Sequence, residues 1–166
     1  MEEMTNLMKS LENRELVMLY GTWYEEMKSR GIIRTRNIVG EVGEYFAVET
    51  YRDNPRLPDL SPAHIGMKHY DAMSQDGTRY TVKTVTGTST GVFYGLHQPG
   101  SLEEDERLFD YLIIVVLAKD YGLSGVYEMD WETFMELKSW HSRMSAWKIG
   151  VNNKVLSRCV RVDDLE

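Results

Sequence analysis

The stretch that decides the fold reads Tyr70-Asp71-Ala72-Met73-Ser74-Gln75-Asp76-Gly77-Thr78-Arg79-Tyr80-Thr81-Val82-Lys83. Residues 70–73 and 79–85 flank Ser74-Gln75-Asp76-Gly77-Thr78, a strong turn signal, so the stretch predicts a β-hairpin. Its register decides what it can do. A two-residue Asp76-Gly77 turn would set Asp71 opposite Val82 and point Lys83 to the other face of the sheet. A three-residue Gln75-Asp76-Gly77 loop, with Gly77 left-handed in a bulge, sets Asp71 opposite Thr81 and brings Lys83 onto their face. Asp-Gly followed by β-branched Thr78 suits the three-residue form. An aspartate and a lysine are therefore expected on one side of one sheet.

Working outward, residues 109–117 form an Ile- and Val-rich block that reads as a central strand buried on both faces. Gly122 and Gly125 bracket a turn into a further strand ending near Glu128. Asp130 is placed to cap a helix over residues 131–137. Upstream, residues 7–30 carry Leu16, Leu19, Tyr20, Trp23 and Met27 at steps of three and four, the pattern of one helix stopped by Gly31. Asn37 opens a second helix to about Tyr51, with Ile38, Val42, Tyr45, Phe46 and Glu49 along one side. Pro55, Pro58 and Pro62 mark a loop, and the glycines of residues 86–100 mark another. Asn152-Asn153 separates two expected final strands, residues 145–151 and 155–162. Helices before and after a hairpin and a buried strand predict an α/β fold with a mixed central sheet flanked by helices.

The chain has 166 residues, 42% hydrophobic and 27% charged, with 19 Lys+Arg against 26 Asp+Glu. Those figures predict a single domain with a real core. The expected parts are an N-terminal helix to residue 30, a core over 31–137 and a basic extension over 138–166. The longest apolar run, residues 111–118, is far short of the roughly 20 residues that span a bilayer. Met-Glu-Glu-Met lacks the basic and apolar regions of a signal peptide. Cys159 is the only cysteine, so neither an internal disulfide nor a Cys-based zinc site is available. A cytoplasmic protein without a membrane is expected.

Charge is unevenly spread along the chain. Residues 101–136 hold ten acidic and two basic side chains, whereas residues 138–161 hold six basic and no acidic ones. Trp140, His141 and Trp147 are interleaved with those cations. Cations can meet phosphates while rings stack on bases, so this segment, with Lys148 within it, is a candidate nucleic-acid surface; a solvated edge with its tryptophans facing the core is the alternative. Arg34 and Arg36, just before the second helix, are further candidate phosphate contacts. Gly87-Thr88-Ser89-Thr90-Gly91 lacks the Gly-Lys-Ser/Thr ending of a P-loop.

Phosphodiester hydrolysis needs a divalent metal to bind phosphate oxygens and acidify a water, with a cation nearby. Asp71 and Lys83 on one face, with a helix carboxylate, would supply both. On these residues the chain resembles the PD-(D/E)XK restriction-endonuclease-like superfamily. The resemblance rests on Arg34-Thr35-Arg36-Asn37-Ile38-Val39-Gly40-Glu41-Val42-Gly43-Glu44-Tyr45-Phe46-Ala47, then Lys68-His69-Tyr70-Asp71-Ala72, then Arg79-Tyr80-Thr81-Val82-Lys83. It is similar to small bacterial members known mainly as domains of unknown function, and it covers residues 31–137.

The resemblance implies a restriction-endonuclease-like fold and a Mg²⁺-dependent nuclease. Asp71 and Glu44 would hold the metal with Glu41 beside them, and Lys83 would complete the catalytic set. Lys68 would be a basic residue of the loop before the aspartate. Nucleic acid, DNA rather than RNA, is the implied partner. Thr81 stands where the superfamily usually carries Glu, Asp or Gln, and a threonine hydroxyl is a poor ligand for a hard cation. The rival expectation is an inactive nuclease-like subunit or regulator that binds nucleic acid or a protein partner. The small size also allows a homodimer.

Overall fold

The computed structural model describes residues 1–165 and divides into two compact units, residues 1–41 and residues 42 onward. In the first unit, α1 (Glu2–Ser10) and α2 (Asn13–Ser29) stand where one helix over residues 7–30 was expected. The break has a local cause. Leu11 and Glu12 are both extended, and the Glu12 N–H is received at 2.9 Å by the Glu15 carboxylate, which restarts the helix. The boundary between the units falls within α3 (Ile38–Asp53).

The second unit is built on a six-stranded sheet of order β1-β2-β3-β4-β5-β8. These strands are β1 (Leu60–Pro62), β2 (Ala72–Ser74), β3 (Arg79–Val85), β4 (Tyr111–Leu117), β5 (Leu123–Asp130) and β8 (Val160–Arg161). The β3–β4 pair is parallel and the other four pairs are antiparallel, so the chain is a mixed α/β fold with helices flanking a mixed sheet. β1 lies within the expected proline loop. As an edge strand it tolerates Pro62, which has no N–H to give. A separate two-stranded sheet joins β6 (Ser139–His141) to β7 (Ala146–Lys148).

The hairpin takes the three-residue register. The Ser74 N–H donates to the Thr78 carbonyl and the Gly77 N–H to the Ser74 carbonyl, each at 3.0 Å, and Ala72 pairs with Tyr80. Gly77 has φ +89°, the left-handed geometry that a side chain would strain. In β4, Leu112, Ile113, Ile114 and Val115 are fully buried, as an apolar run sandwiched on both faces requires.

Each face of the sheet has its own cover. On one, α3 packs closely through Gly43, where a Cβ would sit 1.8 Å from Thr84 Oγ1. Tyr51 of α3 meets the Tyr80 ring edge-on at 5.7 Å and donates its hydroxyl to Glu128. The row Gly43, Ala47, Tyr51 therefore faces the sheet, where the expected stripe ran through Tyr45 and Phe46; both of these are only half-buried. Small residues let the helix approach, which the apolar count alone does not show.

On the opposite face, Leu112, Ile114, Phe109 and Val85 pack with Phe93, Ile149 and α4 (Trp131–Leu137). Asp130 caps α4 as expected, accepting from the Thr133 N–H at 2.7 Å. The expected strand over 155–162 is replaced by α5 (Asn153–Leu156) and the two-residue β8. Asn152 caps α5 by accepting from the Val155 N–H at 3.1 Å, a turn signal that also serves as a helix start.

Candidate functional site

The parallel register pairs Thr81 with Leu112 and Lys83 with Ile114, so both side chains lie on the Phe93 face, away from α3. Asp71 sits just before β2, where the strand peels from β3. Its N–H donates to the Tyr80 carbonyl at 2.8 Å. Its Oδ2 accepts the Val82 N–H at 2.7 Å and the Thr81 hydroxyl at 3.0 Å. The carboxylate thus stands in for the backbone carbonyl that the ladder lacks at this point. Asp71, Thr81 and Lys83 do share one face.

Lys83 opens into a cleft of about 320 Å³ lined also by Lys68, His69, Thr81, Phe93 and Tyr94. Its ammonium lies 5.1 Å from the centroid of the Phe93 ring, a cation–π distance. His69 reaches this wall from a left-handed backbone, φ +75°. Tyr94 is 58% exposed, leaving an open aromatic face at the mouth. The lining contains no carboxylate. Among the described residues, neither Lys68 nor Lys83 forms an ion pair.

Of the expected metal ligands, Glu41 belongs to the first unit, and Glu44 and Asp71 belong to the second. Glu44 is half-buried on α3, and α3 packs against the Tyr80 and Thr84 face, across the sheet from Lys83. Glu41, in the first unit, is 6% exposed. It accepts the Arg34 N–H at 2.7 Å and pairs with the guanidinium at 3.3 Å. Burial alone would raise the Glu41 carboxyl, but hydrogen bonds from Thr35 and Arg34 outweigh it and hold the group below the usual carboxylate range. Arg34 is therefore engaged in closing the turn into α3, while Arg36 is exposed. Among the described residues, no three His, Cys, Asp or Glu side chains converge as a metal would need. Asp71 Oδ2 is engaged inside the sheet by the Val82 N–H and the Thr81 hydroxyl, a poor fit to a magnesium ion, which takes free carboxylate oxygens in near-octahedral array.

Half of the six cations of the basic segment are held in ion pairs. Lys138 pairs with Asp105 at 2.8 Å, Arg158 with Glu136 at 2.7 Å and Arg161 with Asp163 at 3.1 Å. Trp140 and Trp147 meet edge-to-face at 5.2 Å, and the Trp147 indole donates to the His97 carbonyl at 2.7 Å. Lys148 is half-buried in β7, and Arg143 is exposed in the turn before it. Cys159 is half-buried and its thiol is pushed up to about 11 by burial, which makes it a poor nucleophile. No helix among the described residues is long and apolar enough to cross a membrane.

Neither the Lys68–Lys83 cleft nor the exposed Tyr94 at its mouth follows from spacing alone. The one signal in the sequence is Lys68, the basic residue before Asp71, since Phe93 and Tyr94 sit in the expected glycine loop over 86–100. Compared with protein-family models and with curated proteins, the chain has no match.

Proposed function

We propose that this protein handles nucleic acid from a restriction-endonuclease-like scaffold, gripping the phosphate backbone in the Lys68–Lys83 cleft without hydrolysing it. One observation carries the reading: two lysines that form no ion pair among the described residues line one cleft, whose other lining residues include Phe93 and Tyr94 and no carboxylate. Phosphates pair with the cations, and a base or sugar can lie against Phe93 and Tyr94. Asp71 has a structural part in this account. It holds Thr81 and the β3 backbone so that Lys83 leaves the strand at a set angle. DNA is the favoured partner over RNA, and a cytoplasmic setting suits a chain whose one thiol is unpaired.

The test is fluorescence anisotropy with labelled DNA and RNA oligonucleotides of about 20 nucleotides, in about 50 mM salt and upward. We expect binding that weakens with salt with a log–log slope of roughly −2, one unit for each lysine. Lys68→Ala and Lys83→Ala should each lose about tenfold in affinity and about one unit of slope. Absence of binding at low salt, or a double variant that binds like the parent, would refute the proposal. Millimolar Mg²⁺ binding by calorimetry that vanishes in Asp71→Ala, together with cleavage of the oligonucleotide, would replace it with the hydrolytic reading.

A further inference from the structure

The size and charge of the cleft narrow the kind of nucleic acid it can take. Its volume is about 320 Å³, the small end of the range that holds a compact organic ligand. A base inside a duplex enters a pocket of that kind only after it is unpaired, unstacked and swung out, a cost that is least for a base already single-stranded. An internal phosphodiester carries one negative charge. A terminal phosphate monoester carries about −1.5 to −2 at neutral pH, with three strong acceptor oxygens. Lys68 and Lys83 line the cleft, its lining has no carboxylate, and neither lysine forms an ion pair among the described residues. A diester leaves one of those two charges unmatched, and a monoester matches both.

The rings of the cleft say where a base can lie. Phe93 is 6% exposed and already has the Lys83 ammonium 5.1 Å from its centroid. Tyr94 is 58% exposed and is the ring left open for stacking. The Tyr94 loop is closed against His69: Gly95 has φ +89°, and a Cβ there would stand 3.0 Å from His69 Cε1. His69 itself has φ +75°, a left-handed backbone that costs a non-glycine residue free energy and recurs at ligand clamps. The chain segments that carry Lys68 and Tyr94 are thus packed together at the cleft. Resting on the nucleic-acid reading above, we propose that the cleft holds one unpaired nucleotide ending in a phosphate monoester, with the phosphate between Lys68 and Lys83 and the base against Tyr94. That chemistry is offered by either end of a single strand and by a free mononucleotide.

The test is fluorescence anisotropy on the full chain with internally labelled single strands of about 10 nucleotides. Their ends carry a 5′-phosphate, a 3′-phosphate or hydroxyls only, and an unlabelled nucleoside monophosphate serves as competitor. At least one phosphorylated strand should bind about tenfold tighter than the hydroxyl-ended one, which identifies the end that is read. A mononucleotide that displaces it at comparable concentration would assign the site to the free form. Lys68→Gln and Lys83→Gln, which remove charge and keep most of the stem, should each bring that ratio close to one with an unchanged far-ultraviolet spectrum. Tyr94→Ala should weaken the phosphorylated strand about tenfold, and Tyr94→Trp should restore it. Annealing a complement, so that the phosphorylated end is paired, should also weaken binding. A hydroxyl-ended strand that binds as tightly as both phosphorylated ones would overturn the proposal and leave the backbone grip standing. A preference that survives both lysine changes, or a blunt duplex that binds as tightly as the single strand, would overturn it too. If no strand binds at low salt, both readings fall.

Discussion

Two cationic regions of this protein look alike in the sequence and differ in the folded chain. The 138–161 segment has the higher density of basic residues, yet Lys138, Arg158 and Arg161 are paired with Asp105, Glu136 and Asp163. The Lys138 and Asp105 side chains are only 9% exposed, and the ammonium lies 4.4 Å from the centroid of the Trp147 ring. Lys68 and Lys83 are fewer and lie apart along the chain, but they line one cleft and, among the described residues, form no ion pair. Two of the pairing acids, Asp105 and Glu136, come from the acidic 101–136 stretch, so the opposite charge blocks seen in the sequence partly neutralise each other. The count of basic residues does not measure how much anion a surface can hold. What the fold has already placed against each cation does.

The largest effect that would break this comparison is on stability. Lys138→Ala leaves Asp105 buried without its partner and should cost about 3–5 kcal/mol in urea denaturation, while Arg161→Ala at the surface should cost under about 1 kcal/mol. Equal costs would erase the distinction between the two regions. The same pair sets an acid limit. Burial alone would raise the Asp105 carboxyl, but the Lys138 bond and charge together with the bond from the His97 N–H outweigh it and hold the group below its ordinary value. The stability this supplies is present above the unfolded carboxylate pKa of about 3.9 and is lost as pH falls through the lower folded value. Denaturation curves below about pH 4 should therefore steepen in the parent relative to Asp105→Asn.

Within the cleft the smaller effects separate structure from binding. Asp71→Ala removes the acceptor of the Val82 N–H and the Thr81 hydroxyl and should cost about 1–3 kcal/mol. Lys83→Ala should change stability by no more than about 0.5 kcal/mol while losing oligonucleotide affinity. The opposite face of β3 supplies the last contrast. Burial raises the Glu128 carboxyl above its ordinary range, so its charge becomes a cost as pH rises through that folded value. Glu128→Gln keeps an acceptor for Tyr51 and should raise stability at neutral pH by on the order of 1 kcal/mol. The gain should shrink on acidification; a gain that persists there would assign the effect to packing.

Local chemistry was readable where neighbouring residues alone decide it. Asp130 caps α4, Gly77 takes the left-handed position of a three-residue loop, and the apolar block of β4 is buried on both sides. The single helix expected over residues 7–30 rests on the spacing of Leu16 to Met27, which says nothing of the extended backbone at Leu11 and Glu12 that breaks it. Asn152, expected to separate two strands, caps a helix instead, since the same side chain suits a turn and an N-cap. Thr81 is the instructive position. Set against the resemblance it is a missing metal ligand; in the fold it is a donor to Asp71, and both descriptions follow from a short hydroxyl side chain on that face.

The turn register of the hairpin, and hence which of Asp71, Thr81 and Lys83 share a side, follows from residues 70–83 alone, because it depends on alternation and on backbone conformations a few residues long. It took the folded chain to show that α3 covers the Tyr80 and Thr84 side of the sheet and that acids of residues 101–136 meet cations of residues 138–161. Those outcomes turn on close packing at Gly43 and on charges tens of residues apart, whose meeting no local pattern encodes.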